Sequence, residues 1–250
     1  MTGWEAVAVV LAGVFAGGIN TVVGSGTLVT FPVLLAVGYP PVVANVSNSL
    51  GLVPGSITGA IGYRDELVGQ RDRLIRFGIA SLLGGIGGAF LLLVLPAEAF
   101  ETIVPVLIAL ALVLVVLQPW LSRKLGARRT EGSMHGTVGV FAAIFATGVY
   151  GGYFGAAQGI LLMGFMGILL NESLQRVNAI KNVLAAIVNA ASGIVFIFVA
   201  EVDWLAVGLI AVGAVVGGLI GARVGRKLSP TVLRGVIVVV GVVAIVQLLA

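Results

Sequence analysis

"AGGINTVVGSGTLVTFPVLLAVGYPP", residues 16–41, decides how this chain folds. The stretch is apolar enough to lie in a bilayer, yet it breaks at Gly24-Ser25-Gly26-Thr27, and the apolar run after the break, Leu28 to Val37, is short. A segment over 25–38 makes about 20 Å of helix at 1.5 Å per residue, while the hydrocarbon core is about 30 Å thick. A helix that starts at Ser25 and reaches the surface at Gly38 therefore begins inside the membrane. Its first amides have no helical partner. Such backbone is tolerated at depth only where protein or a water-filled cavity surrounds it. Ser25 and Thr27 can cap, Gly26 lets a ligand approach the backbone, and the positive end of the helix dipole favours an anion. The competing reading is that these glycines only permit tight helix packing.

The rest of the chain supports a membrane setting. Of its 250 residues 59% are hydrophobic and 10% charged, where a soluble domain carries roughly 25% charged residues. The mean hydropathy is +1.17. Apolar runs of about 20 residues recur along the whole length, the mark of transmembrane helices; the ~10-residue alternation of an outer-membrane barrel is missing. There is no cysteine, which removes disulfides, thiolate metal sites and cysteine nucleophiles. The N-terminus has no basic residue ahead of its apolar run, so it reads as the first mature segment rather than a cleaved signal.

The chain also resembles itself. "SGTLVTFPVLLAVG" (25–38) aligns with "QGILLMGFMGILLN" (158–171), "NSLGLVPGSITGA" (48–60) with "NVLAAIVNAASGI" (182–194), and "LLGGIGGA" (82–89) with "VVGGLIGA" (215–222). Asn48 meets Asn182, Gly59 meets Gly193 and Pro96 meets Pro230. A near-constant offset across separate blocks predicts a duplication. The first repeat is 1–121, with segments 3–23, 25–38, 42–62, 75–95 and 99–119. A linker occupies 122–135. The second repeat is 136–250, with segments 136–156, 158–170, 175–199, 204–222 and 231–249. An odd number of crossings per half turns the second half over. Charge agrees: Arg64, Arg71, Arg73, Arg76, Arg123, Lys124, Arg128, Arg129, Arg176, Lys181, Arg223, Arg226, Lys227 and Arg234 all fall on one side, while the opposite loops hold Glu5, Glu98, Glu101, Glu201 and Asp203. By the positive-inside rule the basic side is cytoplasmic. Both termini are then outside and the linker inside, in a multi-pass protein of the cell (inner) membrane. Trp4, Trp120 and Trp204 fall at segment ends, where interfacial aromatics sit. Segments 25–38 and 158–170 either cross fully or return as hairpins; the topology is the same in both cases. The expected fold is all-α and polytopic, two inverted repeats of about five segments each with broken or re-entrant helices.

Two short, glycine-interrupted segments at matching places in inverted halves point to a transporter's binding site. Gln158-Gly159 is the second such helix start. The following segments add a polar stripe. Asn45, Asn48, Ser49, Ser56 and Gly59 recur at helical spacing, as do Asn178, Lys181, Asn182, Asn189, Ser192 and Gly193. In lipid such a face looks inward, either to a site or as interhelical glue. Lys181 is the only charge well within a segment. It either snorkels to the interface or serves as the cation for an anionic substrate. The substrate-binding set is thus Asn20, Ser25, Gly26, Thr27, Asn48, Ser49, Gln158, Gly159, Asn178, Lys181 and Asn182. The glycine runs at 84–88 and 217–221 read as packing seams. His135 stands alone in the linker, and "GSGT" lacks the lysine of a phosphate loop.

With those motifs in hand, "AGGINTVVGSGTLVTFPVLLAVGYPPVVANVSN" and "YGGYFGAAQGILLMGFMGIL" with "RVNAIKN" after it make the chain resemble the TauE/SafE family of sulfite exporters and related permeases, over nearly its whole length. The resemblance implies transport of small sulfur-containing anions such as sulfite or organosulfonates. Many members carry acidic residues where this chain has Asn20 and Gly151, which argues against a carboxylate proton relay here. The leading expectation is an anion exporter held to the lipid bilayer, with a small anion as partner. Proton-coupled uptake is the alternative. A purely structural membrane protein is a remoter one, and an intramembrane hydrolase using Ser25 would lack a base within reach. No catalytic residue, cofactor, metal centre or nucleic-acid partner is expected.

Overall fold

The computed structural model describes residues 1–126, 137–170, 172–224 and 230–249. Within them the chain is helical, in the order α1 (Gly3–Val22), α2 (Thr27–Ala36), α3 (Pro41–Gly62), a 3₁₀ turn (Arg64–Leu67), α4 (Arg71–Val94), α5 (Ala97–Gly126), α6 (Thr137–Tyr153), α7 (Gln158–Leu169), α8 (Leu174–Val199), α9 (Trp204–Val224) and α10 (Pro230–Leu249). The basic positions Arg128, Arg129, Arg226 and Lys227 and the lone His135 lie outside the described residues, as does most of the expected linker. Its start does not: α5 continues through helix-forming residues to Gly126, past the expected end at 119. Five of the described helices, α1, α4, α5, α8 and α9, are long and apolar enough to cross a membrane.

Many large apolar side chains lie outside, while small and polar ones share the inside with core residues such as Phe31, Phe100, Phe154 and Phe196. Leu11, Phe15, Ile57, Ile61, Ile79, Val106 and Phe198 are exposed, whereas Ala16, Asn45, Ser47, Ala111, Ala179 and Ser192 are fully buried. In water this would be ruinous, but lipid is as apolar as leucine and gives helices no hydrophobic reason to hide it. Association then depends on close approach. α1 lies against α9 so tightly that a methyl on Gly13 would come within 2.8 Å of the Ile210 carbonyl oxygen. α4 lies against α6 in the same way, with a methyl on Gly148 reaching 3.1 Å from the Ser81 carbonyl. The glycine runs 84–88 and 217–221 are these seams.

The main helix pairs keep the same pattern when the first and second five helices are exchanged. α1 packs on α9 and α6 on α4; α3 packs on α9 and α8 on α4; α2 packs on α10 and α7 on α5. α3 meets α8, and α5 meets α10, on the line between the halves. α3 and α8 run in opposite directions. Arg176, at the start of α8, bonds to the Val68 carbonyl just beyond the end of α3, while Asp203, beyond the end of α8, donates its amide to Ser47 near the start of α3.

Candidate substrate site at the two helix breaks

The two breaks are built alike. α1 stops because Gly24 takes a left-handed conformation (φ +91°) and its amide reaches back to the Ile19 carbonyl at 3.0 Å. α6 stops at Gly155 (φ +76°), whose amide reaches the Tyr150 carbonyl at 3.1 Å. Left-handed residues of this kind end helices by satisfying their last carbonyls, and glycine adopts them without a Cβ penalty. Three residues later the short helices begin, α2 at Thr27 and α7 at Gln158. This corrects the expected start at Ser25, and no side chain caps α2. The Gly26 amide is taken instead by Asn20 Oδ1 at 2.7 Å, so a side chain from the end of α1 bridges the break.

The breaks touch each other. The Gly159 amide donates to the Gly24 carbonyl at 3.0 Å, joining the first turn of α7 to the end of α1 across the halves. A methyl on Gly24 would lie 2.9 Å from the Gly159 carbonyl carbon, so the backbones approach as only glycine allows. The amides of Gly26 and Gly159, expected to face a ligand, thus already have partners within the protein.

The stripe of α8 lands on the end of α1. Lys181 Nζ donates to the Asn20 carbonyl at 2.7 Å and to the Thr21 carbonyl at 3.4 Å; Asn178 Nδ2 and Asn182 Nδ2 reach Thr21 at 3.1 and 3.4 Å. The last carbonyls of a helix are unpaired and carry its negative dipole end, so a cation and two amides answer a local need. Lys181 is 1% exposed and ends on these carbonyls, not at the interface. The other half shows a reduced version, with Asn45 Nδ2 donating to the Tyr153 carbonyl at the end of α6 at 2.9 Å. On the α3 stripe, Asn48 donates to Thr27 Oγ1 at 3.3 Å and accepts from Thr30 Oγ1, tying α3 to α2. Ser49 bonds to its own helix at the Asn45 carbonyl. Ser25 Oγ is buried and has no partner.

Between these groups lies a small cavity of about 20 Å³, room for about one water molecule. From the expected set it is walled by Asn20, Thr27, Gln158, Gly159, Lys181 and Asn182. Ser25, Gly26, Asn48, Ser49 and Asn178 stand behind that wall. The expected set lacked Gly24, Gly155, Ala185, Ser56 and Asn189, which also line it. The last two sit on the polar stripes read from the sequence, so the signal was present there. Two buried groups on the wall, Gln158 Nε2 and Ser56 Oγ, have no hydrogen-bond partner. Both can donate. The Gln158 amide occupies the space beside Gly151, where a methyl would come within 2.6 Å of its Oε1. Among the described residues the cavity wall carries no carboxylate.

Comparison with known proteins places the architecture. A family model described as sulfite exporter TauE/SafE matches residues 9–248. The probable membrane transporter protein YfcA of Escherichia coli (strain K12) is 28% identical over 235 residues, covering 94% of this chain and 86% of that protein. The probable membrane transporter protein ORF9 of Sinorhizobium sp is 25% identical over 242 residues, covering 96% and 90%. A probable membrane transporter protein of Haemophilus influenzae (strain ATCC 51907 / DSM 11121 / KW20 / Rd) is 28% identical over 229 residues, covering 91% and 88%. No solved structure matches the chain. A multi-pass helical chain with two broken helices meeting at a buried polar cavity, matched along almost all of its length, belongs to the sulfite exporter TauE/SafE family of membrane transporters.

Proposed function

We propose that the protein exports a small sulfur-containing anion, such as sulfite or an organosulfonate, bound between the starts of α2 and α7 when the cavity there widens beyond its present room for about one water molecule. The observation that carries this reading is the cavity's surplus of donors. Lys181 supplies an amine that can carry positive charge, Gln158 Nε2 and Ser56 Oγ are unpaired donors, and among the described residues no carboxylate lines the cavity. Such a wall suits an anion that brings acceptors. The helix dipoles of α2 and α7 add about half a charge each at the same place. Their backbone amides are engaged elsewhere, so side chains make the direct contacts. A membrane potential that is negative inside drives each unit of negative charge outward by ~2.3 kcal/mol per 100 mV. Export therefore needs no coupled proton. The exchangeable packing of the halves and the antiparallel course of α3 and α8 favour inverted repeats, with both termini outside and the 122–135 linker in the cytoplasm. Flux of labelled sulfite and of an organosulfonate in proteoliposomes, under an imposed potential and separately under a pH gradient, tests the reading. Potential-driven flux that ignores the pH gradient is expected. Flux that requires the pH gradient would establish proton-coupled uptake instead, and no flux of either compound would remove the substrate assignment.

A further inference from the structure

The cavity is small and most of its wall is buried, so a transported ligand needs a wider opening toward each face in turn. Two polar clusters outside the site lie where such openings would occur. At the first, Glu172 sits in the α7–α8 connection. Its Oε1 accepts from Arg73 Nη1 of α4 at 2.7 Å, and its Oε2 accepts from Arg176 Nε of α8 at 2.8 Å. Arg73 also donates to Gln70 Oε1, and Arg176 to the Val68 carbonyl. At the second, Tyr39 sits in the α2–α3 connection, with the carboxylate of Asp203, the residue just before α9, close enough to bear on its phenol. The Asp203 amide donates to Ser47 Oγ of α3 at 3.0 Å, and its Oδ1 accepts from Ala206 N at 2.7 Å.

These clusters occupy the same place in the two halves. Tyr39 and Glu172 each follow a short broken helix, and Gln70 and Asp203 each immediately precede the helix that packs across the halves. They also lie far apart. The first is at the end of α3 and the start of α8; the second is at the start of α3 and the end of α8. Helices of 22 and 26 residues put these ends about 30–40 Å apart, the thickness of a membrane. The polar cavity lies between them, walled by Ser56 of α3 and by Lys181, Asn182, Ala185 and Asn189 of α8.

We propose that Glu172, with Arg73 and Arg176, is the latch that closes the cavity toward one membrane face, and that Tyr39 with Asp203 is the exchange-related latch closing it toward the other. This inference rests on the reading of the cavity as the transported ligand's site. Each latch ties the hinge connection of a broken helix to the partner half, so releasing it frees that short helix to swing. The two differ in chemistry. The Glu172 latch is a pair of charge-assisted bonds, strong and salt-sensitive. The Tyr39 latch sets a phenol beside a carboxylate whose own residue is held to α3 by its amide on Ser47 Oγ. Burial first, and the Asp203 carboxylate second, push the phenol up to about 12, so it keeps its proton. On the positive-inside assignment the charged latch faces the cytoplasm. These are positioning residues; none of them lines the cavity.

The natural absence of cysteine makes the test direct. Ala185→Cys places a single thiol on the cavity wall, and a membrane-impermeant thiol reagent is applied from either side of proteoliposomes of known orientation. In that background Glu172→Gln is expected to speed modification about tenfold, from the face bearing Glu172 only. Arg73→Gln should act in the same direction and from the same face, and Tyr39→Phe from the opposite face only. Equal rates in Glu172→Gln and the background, or acceleration from both faces at once, would overturn the proposal, the latter because it reports general loosening. Monodisperse elution of each variant, and an unchanged rate for exposed Glu98→Gln, separate gating from misfolding. No substrate is involved, so failure here leaves the flux experiment standing, and failure of the flux experiment leaves the latches standing.

Discussion

Gly24→Ala tests the meeting of the two breaks, and Gly38→Ala is its control. Both glycines are left-handed, at φ +91° and +96°. An alanine in this region costs about 1–2 kcal/mol, partly offset by about 0.4–1 kcal/mol from its stiffer unfolded chain. The positions differ in surroundings. A methyl on Gly38 meets nothing within 4 Å, while one on Gly24 falls on the Gly159 backbone, 2.9 Å from its carbonyl carbon. That contact is backbone, which cannot rotate away, so overpacking adds about 1–3 kcal/mol. Pushing the strands apart also strains the Gly159-to-Gly24 hydrogen bond, worth about 1 kcal/mol. Gly38→Ala should therefore cost about 1 kcal/mol and Gly24→Ala about 3–5 kcal/mol. Thermal unfolding of the detergent-purified proteins, followed by size-exclusion after heating at one fixed rate, reads the difference. Membrane proteins unfold irreversibly often enough that the comparison must hold the scan rate constant. Equal melting of the two variants would refute the contact, and with it the claim that α7 is anchored on the end of α1.

Lys181→Gln keeps hydrogen bonding but removes the charge, and it should weaken sulfite binding by about tenfold or more while Lys181→Arg retains part of it; equilibrium binding at fixed ionic strength decides. Asn182→Leu removes a wall donor and Asn48→Leu strands Thr27 and Thr30. Both should abolish flux in protein that still inserts, with Asn48→Leu also losing about 1–3 kcal/mol of stability. Burial pushes the Glu172 carboxyl up, but hydrogen bonds and charge from Arg73 and Arg176 outweigh it and hold the group below its ordinary value. A depressed carboxylate stabilises the fold fully above its unfolded value and loses that contribution as pH falls through the folded one. Wild type should therefore be more heat-stable than Glu172→Gln at neutral pH and converge with it only in acid. Tags at residues 1 and 250 should be accessible outside intact cells, and a tag at residue 128 inside only.

The breaks were legible because they violate a local rule: an apolar run should not hold Gly-Ser-Gly-Thr unless its backbone is looked after elsewhere. The polar stripes were legible for the same reason, and they carried Ser56 and Asn189, which line the cavity together with Lys181 and Asn182. What holds the groups was not legible. Lys181 reads as a charge seeking an anion, but its present partners are carbonyls of Asn20 and Thr21, some 160 residues away, and backbone acceptors leave no trace in side-chain identity. The helix starts slipped for a related reason. Text alignment paired Ser25 with Gln158, whereas the left-handed Gly24 and Gly155 put Thr27 opposite Gln158. Conformation, not residue type, sets that register. The Arg73–Glu172 pair spans 99 positions, and charge counting saw only its sidedness.

The α1–α9 and α4–α6 seams have a consequence for how this chain can be made. Each half surrenders its first helix to the other half and receives one in return, so neither is a finished object. Residues 1–126 alone would leave the glycine faces of α1 and α4 without their close-fitting partners, and residues 137–249 would leave those of α6 and α9 bare. In lipid nothing else in either fragment offers a surface small enough to fill them. The two fragments, made as separate chains in one membrane, should find each other through these faces, as a handshake that needs both hands and no arm between them.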